Sequence, residues 1–484
     1  MTYKNKIQLL LFISITIGIL ARFYYFSDID GWFDEWNMIY TVDPTISNNL
    51  TWQRYFGYRG YEPGEVGYYH LPEYYPPLNA FILKYFSKIF GYYSENLRLF
   101  SITFGCSSIV LVYEVTRLFA AKKYATIATF FFSSNLFLIW QSSEIRPHSF
   151  VVFFSLFVIY LFIKILNKDF HKSKLLFISY IFTSIILLSS WPFTLIIFFS
   201  KFIFLIQRYL FTNKIKYSLF LTLIIICVFY IVLNIDYLLY HLAREEHYTK
   251  LYLAFFYSYH FRSFFGSIYL GAILLIIFSI MVVYRFREIF FNWRKDNLII
   301  ITIISSYFLT IIYSLLGTSV ISPKYIIFAL PLIIIWISIN LERLNFKYKN
   351  FYLTVLISIY IVNSVINFKN NPIDRPPSKR ILSLISNSNT SSIYTPEGIV
   401  FNNFIRTHKQ FHNNNLKIEK IQNISNTDKK FWYLCLNNPR FAVGDNNFPN
   451  EKKCVNFNGN VNGDFKKIKE IKLPDYLLVL YEKK

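Results

Sequence analysis

Apolar runs of membrane-crossing length alternate with short basic segments along the first three-quarters of the chain. The first, Ile7 to Phe26, holds about 20 residues, enough for a helix to cross roughly 30 Å of hydrocarbon. No Ala-x-Ala-type cleavage site follows it, and Arg22-Phe23-Tyr24-Tyr25 is a poor substitute, so the run is expected to stay as a span. Lys4 and Lys6 put its N-terminus on the cytoplasmic side, so the next segment emerges outside. That segment, Asp34 to about Leu71, is rich in Tyr and Trp and broken by Pro44, Gly57, Gly60, Pro63, Gly64 and Gly67. It reads as a functional loop lying at headgroup level. Pro77 to Phe90 is short for a span and carries Lys84 and Lys88, so it is expected as an interfacial helix of this first external loop, about residues 27–100.

The remaining runs are Ser101–Ala120, Tyr124–Trp140, Phe150–Ile165, Lys174–Arg208, Tyr217–Tyr240, Ser267–Tyr284, Leu298–Leu316, Pro323–Asn340 and Phe351–Ile366. Lys174–Arg208 is too long for one helix, and Trp191-Pro192 predicts a hairpin between two spans. With Pro77–Phe90 kept out of the bilayer, the basic groups Arg117/Lys122/Lys123, Lys164/Lys168/Lys172/Lys174, Arg208/Lys214/Lys216, Arg285/Arg287/Arg294/Lys295 and Arg343/Lys347/Lys349 all fall inside. The pattern predicts a polytopic α-helical protein of about eleven spans, with its N-terminus inside and its C-terminus outside. A second external loop, His241–Phe265, carries Arg244, Glu245, Glu246, His247, His260 and Arg262.

Composition changes beyond Phe368 to Asn, Ser, Lys and short apolar stretches. Arg380–Ser386 predicts a helix; Ser392–Tyr394, Phe431–Leu434 and Tyr476–Leu480 predict strands. The expected organisation is a membrane domain over 1–367 and a small external α/β domain over 368–484. Cys106 and Cys227 lie in apolar runs as packing residues, whereas Cys435 and Cys454 share the tail and could pair in an oxidising compartment. The whole chain is 54% hydrophobic and only 16% charged, which excludes an ordinary soluble domain. Its net charge of +22 resides mainly in loops between spans, a topology signal that gives no ground for a nucleic-acid partner.

Gly31-Trp32-Phe33-Asp34-Glu35-Trp36 places two carboxylates where the first span leaves the bilayer. Carboxylates are costly to hold near hydrocarbon, so the pair marks a candidate site, although acidic residues at span exits are also common. On the same face the topology delivers Gln141-Ser142-Ser143-Glu144-Ile145-Arg146-Pro147-His148, together with Arg262 and Lys324. Glu144 either helps to position an acceptor or pairs with Arg146. The cations and His148 are candidate phosphate ligands, or residues reaching toward headgroups.

In order along the chain, Phe33-Asp34-Glu35, Tyr75-Pro76-Pro77-Leu78, Gly91 with Leu97-Arg98-Leu99-Phe100-Ser101, Glu144-Ile145-Arg146-Pro147-His148, and Ser322-Pro323-Lys324-Tyr325 with Pro331 form a set. This set, covering roughly residues 7–340, resembles the GT-C class of membrane glycosyltransferases, in the branch of protein O-mannosyltransferases and lipid A aminoarabinose transferases. The resemblance implies a sugar donor carried on polyprenyl phosphate and inverting transfer to a hydroxyl on the outer face. It also implies a general-base role for Asp34, with Glu35 and Glu144 as further acids. The expected substrate ligands are Arg146, His148, Arg262, Lys324 and Tyr325. The aminoarabinose branch has Lys directly before its Pro-Pro; Tyr75 stands there, so Tyr74 and Tyr75 are expected instead to stack on a sugar. The expected location is a bacterial inner membrane, with membrane lipids as partners.

Such chemistry needs a carboxylate near the acceptor hydroxyl and cations at the leaving phosphate. It needs no cytoplasmic nucleotide, and no Gly-rich phosphate loop is present. No cofactor is firmly expected; Asp28-Ile29-Asp30 supplies the Asp-x-Asp pair of a metal-dependent oligosaccharyl-type transferase, a close rival, and leaves a divalent metal open. A transporter or flippase of lipid-linked sugars is the alternative; it calls for ionisable residues in mid-span, whereas the charges read here sit at span ends, with Asp236 near an outer end.

Overall fold

The structure is a computed structural model. It describes residues 3–24, 26, 35, 38–39, 41–56, 76–166, 168, 173–213, 217–235, 261–316, 322–344, 347–368, 378–387, 390, 392–395, 417–420, 429–436, 465–473 and 476–484. These fall into two compact units, one formed by 1–27, 74–83 and 95–372, the other by 28–73, 84–94 and 373–484.

The first unit is helical: α1 (Tyr3–Tyr24), then, after α2 (Asn48–Phe56) and α3 (Leu78–Phe90), α4 (Ser94–Arg117), α5 (Lys122–Ser133), α6 (Leu136–Ser142), α7 (His148–Ile165) and α8 (Lys174–Leu188). It continues with α9 (Leu195–Thr212), α10 (Tyr217–Leu233), α11 (Phe261–Phe265), α12 (Ile268–Tyr284), α13 (Phe286–Phe291), α14 (Asn297–Leu316), α15 (Ala329–Arg343) and α16 (Lys349–Asn367). Among the described residues six helices are long and apolar enough to cross a membrane, and three more apolar helices are shorter. The protein is an integral membrane protein. α3 has 13 residues, about 20 Å at helical rise, which is too short to cross a bilayer core.

Three details depart from the expected spans. Tyr124–Trp140 is not one helix: it breaks at Ser134-Asn135, where the Asn135 side chain caps α6 by accepting from Leu138 N at 3.0 Å. The same amide donates to Phe264 O (2.9 Å) and Tyr360 Oη (3.1 Å), so the break is held by α11 and α16. Pro323–Asn340 begins as turns, and its helix starts only at Ala329. Pro331 has no N–H to donate, which a first turn tolerates and a helix interior does not.

The third departure is Lys201, buried within α9 and so an exception to charges lying at span ends. Its Nζ donates to Tyr180 Oη at 3.1 Å and lies 4.3 Å from the Phe198 ring centroid, 4.8 Å from Tyr180 and 5.3 Å from Phe162. The aromatic faces and one hydroxyl replace water around the amine.

In the second unit, Lys84 is fully buried on α3 and donates to Ile46 O (2.8 Å), Asn48 Oδ1 (3.1 Å) and Thr51 Oγ1 (2.7 Å), fastening the start of α2. Glu35 is buried here too. The tail forms α17 (Ser378–Ser386) and strands β1 (Ser392–Thr395), β2 (Lys417–Lys420), β3 (Lys430–Leu436), β4 (Phe465–Leu473) and β5 (Tyr476–Lys483), in the order β2-β1-β3-β5-β4. β2, β1 and β3 run parallel, and β5 pairs antiparallel with β3 and β4. Alternation along β3 sends Trp432 and Leu434 toward Ile381, Leu382 and Ile385 of α17, and Phe431, Tyr433 and Cys435 to the other face. Cys435 is disulfide-bonded, Cys106 and Cys227 are free thiols, and Cys454 lies outside the described residues.

Candidate active site

The short helix α6 delivers the Ser143–Pro147 loop, and α7 resumes at His148. Every residue of 141–148 is buried. The loop is held by its own chain: Ser142 Oγ donates to Leu138 O, Ser143 Oγ to Trp140 O, and Ser149 Oγ to Gln141 O at 3.1 Å. Glu144 is the hub. Its Oε1 accepts from Gln141 Nε2 at 3.1 Å, and its Oε2 lies 3.4 Å from His148 Nδ1 and 3.6 Å from Lys324 Nζ. Lys324 remains partly exposed beside a fully buried carboxylate. Charge neutralisation is what makes that burial tolerable.

Lys324 arrives on the turns before α15, and the α8–α9 hairpin fixes that segment. Trp191 Nε1 donates to Tyr325 O at 2.9 Å, and the Phe193 and Tyr325 rings stack at 4.8 Å. Trp191 meets the His148 ring edge-on at 5.4 Å. Thus Glu144 and His148 of one predicted motif and Lys324 and Tyr325 of another come together in the first unit; buried Arg146 lies on the same loop as Glu144. Arg262 falls in α11, but its side chain lies outside the described set, as do Asp34, Tyr74 and Tyr75. Glu35 belongs to the other unit.

Arg22 is a participant that the sequence reading treated only as the end of a span. It is fully buried; its Nε donates to Ser142 Oγ (3.2 Å), its Nη1 to Gly18 O (2.9 Å) and Ser133 O (3.3 Å), and its guanidinium lies over Phe132. Gly105 lets α4 approach: a Cβ there would overlap Ser142 Oγ and crowd Arg22 Nε. Arg98 of α4 is fully buried as well. An arginine inside a nominal span is the signal that could have marked Arg22. Among the described residues no group of three or more His, Cys, Asp or Glu is placed to hold a metal ion, and Asp28, Asp30 and Asp34 lie outside that set.

At the other end of the bundle Asp296 receives Arg343 Nη2 (3.0 Å) and Arg285 Nη1 (3.1 Å), and Glu288 receives Arg285 and Arg294, each at 2.9 Å. Burial alone would push the Asp296 carboxyl up, but the hydrogen bond and charge of Arg343, with Arg285 and Arg294, outweigh it and hold the group below its ordinary range. The Glu288 carboxyl is likewise lowered against its own desolvation, chiefly by Arg285.

The fold has solved counterparts. ArnT from Cupriavidus metallidurans, bound to undecaprenyl phosphate, superposes with a TM-score of 0.56 at 9% identity, covering 99% of this chain and 98% of that one. The apo form of ArnT gives 0.56, also at 9% identity, with 97% of each chain covered. The Archaeoglobus fulgidus oligosaccharyltransferase, tethered to an acceptor peptide, gives 0.52 at 11% identity, over 86% of this chain and 64% of that longer one. The chain has the GT-C fold, the architecture of membrane glycosyltransferases. Within that class its sequence is similar to the dolichyl-phosphate-mannose-protein mannosyltransferase family over residues 75–233. No curated protein matches it.

Proposed function

We propose that the protein transfers a sugar from a polyprenyl-phosphate donor to a hydroxyl acceptor at the outer face of the membrane, with inversion. The observation that carries this reading is the buried Glu144 carboxylate with Lys324 and His148 around it, in a fold shared with a protein that binds undecaprenyl phosphate. Lys324 and Arg146 supply positive charge for the leaving phosphate, and Glu144 holds Lys324 in place until the donor arrives. His148, fixed against Trp191, offers a hydrogen bond to the same group. Asp34 is assigned as the general base on its motif, drawing the proton from the acceptor hydroxyl as that oxygen attacks the anomeric carbon and the C–O bond to phosphate breaks. Arg262, Tyr74, Tyr75 and Tyr325 are assigned to donor and sugar contacts on the same grounds. The domain organisation proposed is a catalytic membrane domain over 1–367 and an external domain over 368–484.

Membranes containing the chain, given radiolabelled polyprenyl-phosphate sugar and a panel of hydroxyl acceptors, should yield labelled product and free lipid phosphate. Translocation of the labelled lipid without transfer would overturn the assignment in favour of a flippase. Among the described residues Lys201 weighs on that side, because it places an amine in mid-span. Its packing against three rings and a tyrosine hydroxyl describes an anchored group.

A further inference from the structure

A cavity of about 470 Å³ opens at the end of the bundle away from Glu144, lined by Phe211, Thr212, Glu288, Asn292, Trp293 and Arg294. We propose that it holds the phosphate-bearing headgroup of a membrane phospholipid. α9 fixes the level. The helix starts beside Trp191, which packs on His148, and runs 18 residues, about 27 Å at helical rise, to Thr212 at the cavity. That is roughly the thickness of a hydrocarbon core, so the cavity lies at the opposite water boundary.

Charge and shape narrow the occupant. Residues 285–296 carry Arg285, Arg287, Arg294 and Lys295 against Glu288 and Asp296, and Arg343 adds a further cation. Arg294 is 39% exposed while its Nη1 reaches Glu288 at 2.9 Å and its Nε lies 3.6 Å from Asp296. A guanidinium has five N–H groups, so these contacts leave donors for an anion, and the paired carboxylates hold the fork still. Beside the cavity the outer surfaces are apolar: Leu210 and Phe211 on α9, Phe290 and Phe291 on α13, and Val283 and Tyr284 at the end of α12 are all exposed. A polar recess with surplus positive charge, flanked by bare apolar helix faces, matches an anionic amphiphile with its head in the recess and its chains along the helices. Trp293 belongs to the residue type favoured at that boundary. The site is separate from the donor site and stands whether or not transfer is shown.

The test uses the full chain purified in detergent and stripped of lipid. Native mass spectrometry after addition of phosphatidylglycerol should show a retained adduct, with none from diacylglycerol of the same acyl chains. Arg294→Gln and Thr212→Trp should each reduce retention by about tenfold or more, the scale of a lost charge-assisted hydrogen bond. Thr212→Trp fills the cavity without removing a charged group, and the hydroxyl it replaces bonds its own helix at Arg208 O. A photoactivatable phosphatidylglycerol should label the unaltered chain within 286–294. Equal retention of diacylglycerol, labelling confined to other segments, or full loss of the retained lipid adduct in millimolar inorganic phosphate would each overturn the proposal; the last would indicate a free-phosphate site.

Discussion

Lys324 Nζ stands 3.6 Å from Oε2 of Glu144, one residue on the turns ahead of α15 and the other on the loop after α6. Their meeting makes the two side chains a unit whose free energy depends on both. If the pair receives a lipid phosphate, Lys324→Ala should raise the KM for a polyprenyl-phosphate donor by about 10- to 100-fold, the worth of one hydrogen bond to a charged group. Steady-state transfer kinetics in membranes would show it, and an unchanged KM would remove Lys324 from the phosphate site.

Asp34→Asn keeps the side chain's size and most of its hydrogen bonding but cannot accept a proton. Transfer should fall by about 10²- to 10⁴-fold, the usual contribution of general-base catalysis, while donor binding persists. Near-normal turnover in Asp34→Asn, with loss in Asp30→Asn or Glu144→Gln, would relocate the base.

Gly105→Ala tests the contact between α4 and the Glu144 loop. The added methyl would overlap Ser142 Oγ and press on Arg22, so a loss of about 1–3 kcal/mol is expected from overpacking. Thermal unfolding in detergent measures it. The same substitution at Cys106, a half-buried neighbour on α4, should be milder.

Acid should loosen the opposite end of the bundle. The folded Asp296 carboxyl is held below its unfolded value of about 3.9, so its contribution is present above that pH and is lost as pH falls through the lower folded value. Stability of the unaltered chain should therefore drop more steeply below about pH 4 than that of Asp296→Asn. Parallel acid curves for the two would show that the pair network does not carry this dependence.

Much of the membrane unit was readable because hydrocarbon imposes a length and a composition on anything that crosses it. The Trp191-Pro192 hairpin and the strands at 431–434 and 476–480 were readable for similarly local reasons. What escaped was nonlocal or disguised. Asn135 breaks an apolar run by bonding to residues far along the chain, and Lys201 sits in such a run because rings from three helices cage it. β4, Phe-Lys-Lys-Ile-Lys-Glu-Ile-Lys-Leu, lies at a sheet edge where lysines face solvent, so charged residues fill five of its nine positions and no strict apolar alternation marks it. β2 is four residues long, too short to signal. At the site, the Glu144–His148 and Lys324–Tyr325 motifs could each be nominated, but no periodicity says that the α8–α9 hairpin would bring them together.

The amide of Asn135 also sets an order of events. A membrane protein is delivered helix by helix from its N-terminus, yet this side chain completes its bonds only with Phe264 and with Tyr360, 225 positions later. Until α16 has entered, the junction at the head of α6 lacks part of its support, and the loop bearing Glu144 hangs from that junction. Assembly of the site is thereby deferred to the last helix of the bundle, so a chain stalled before α16 would carry every residue of the loop without the geometry that gives them meaning.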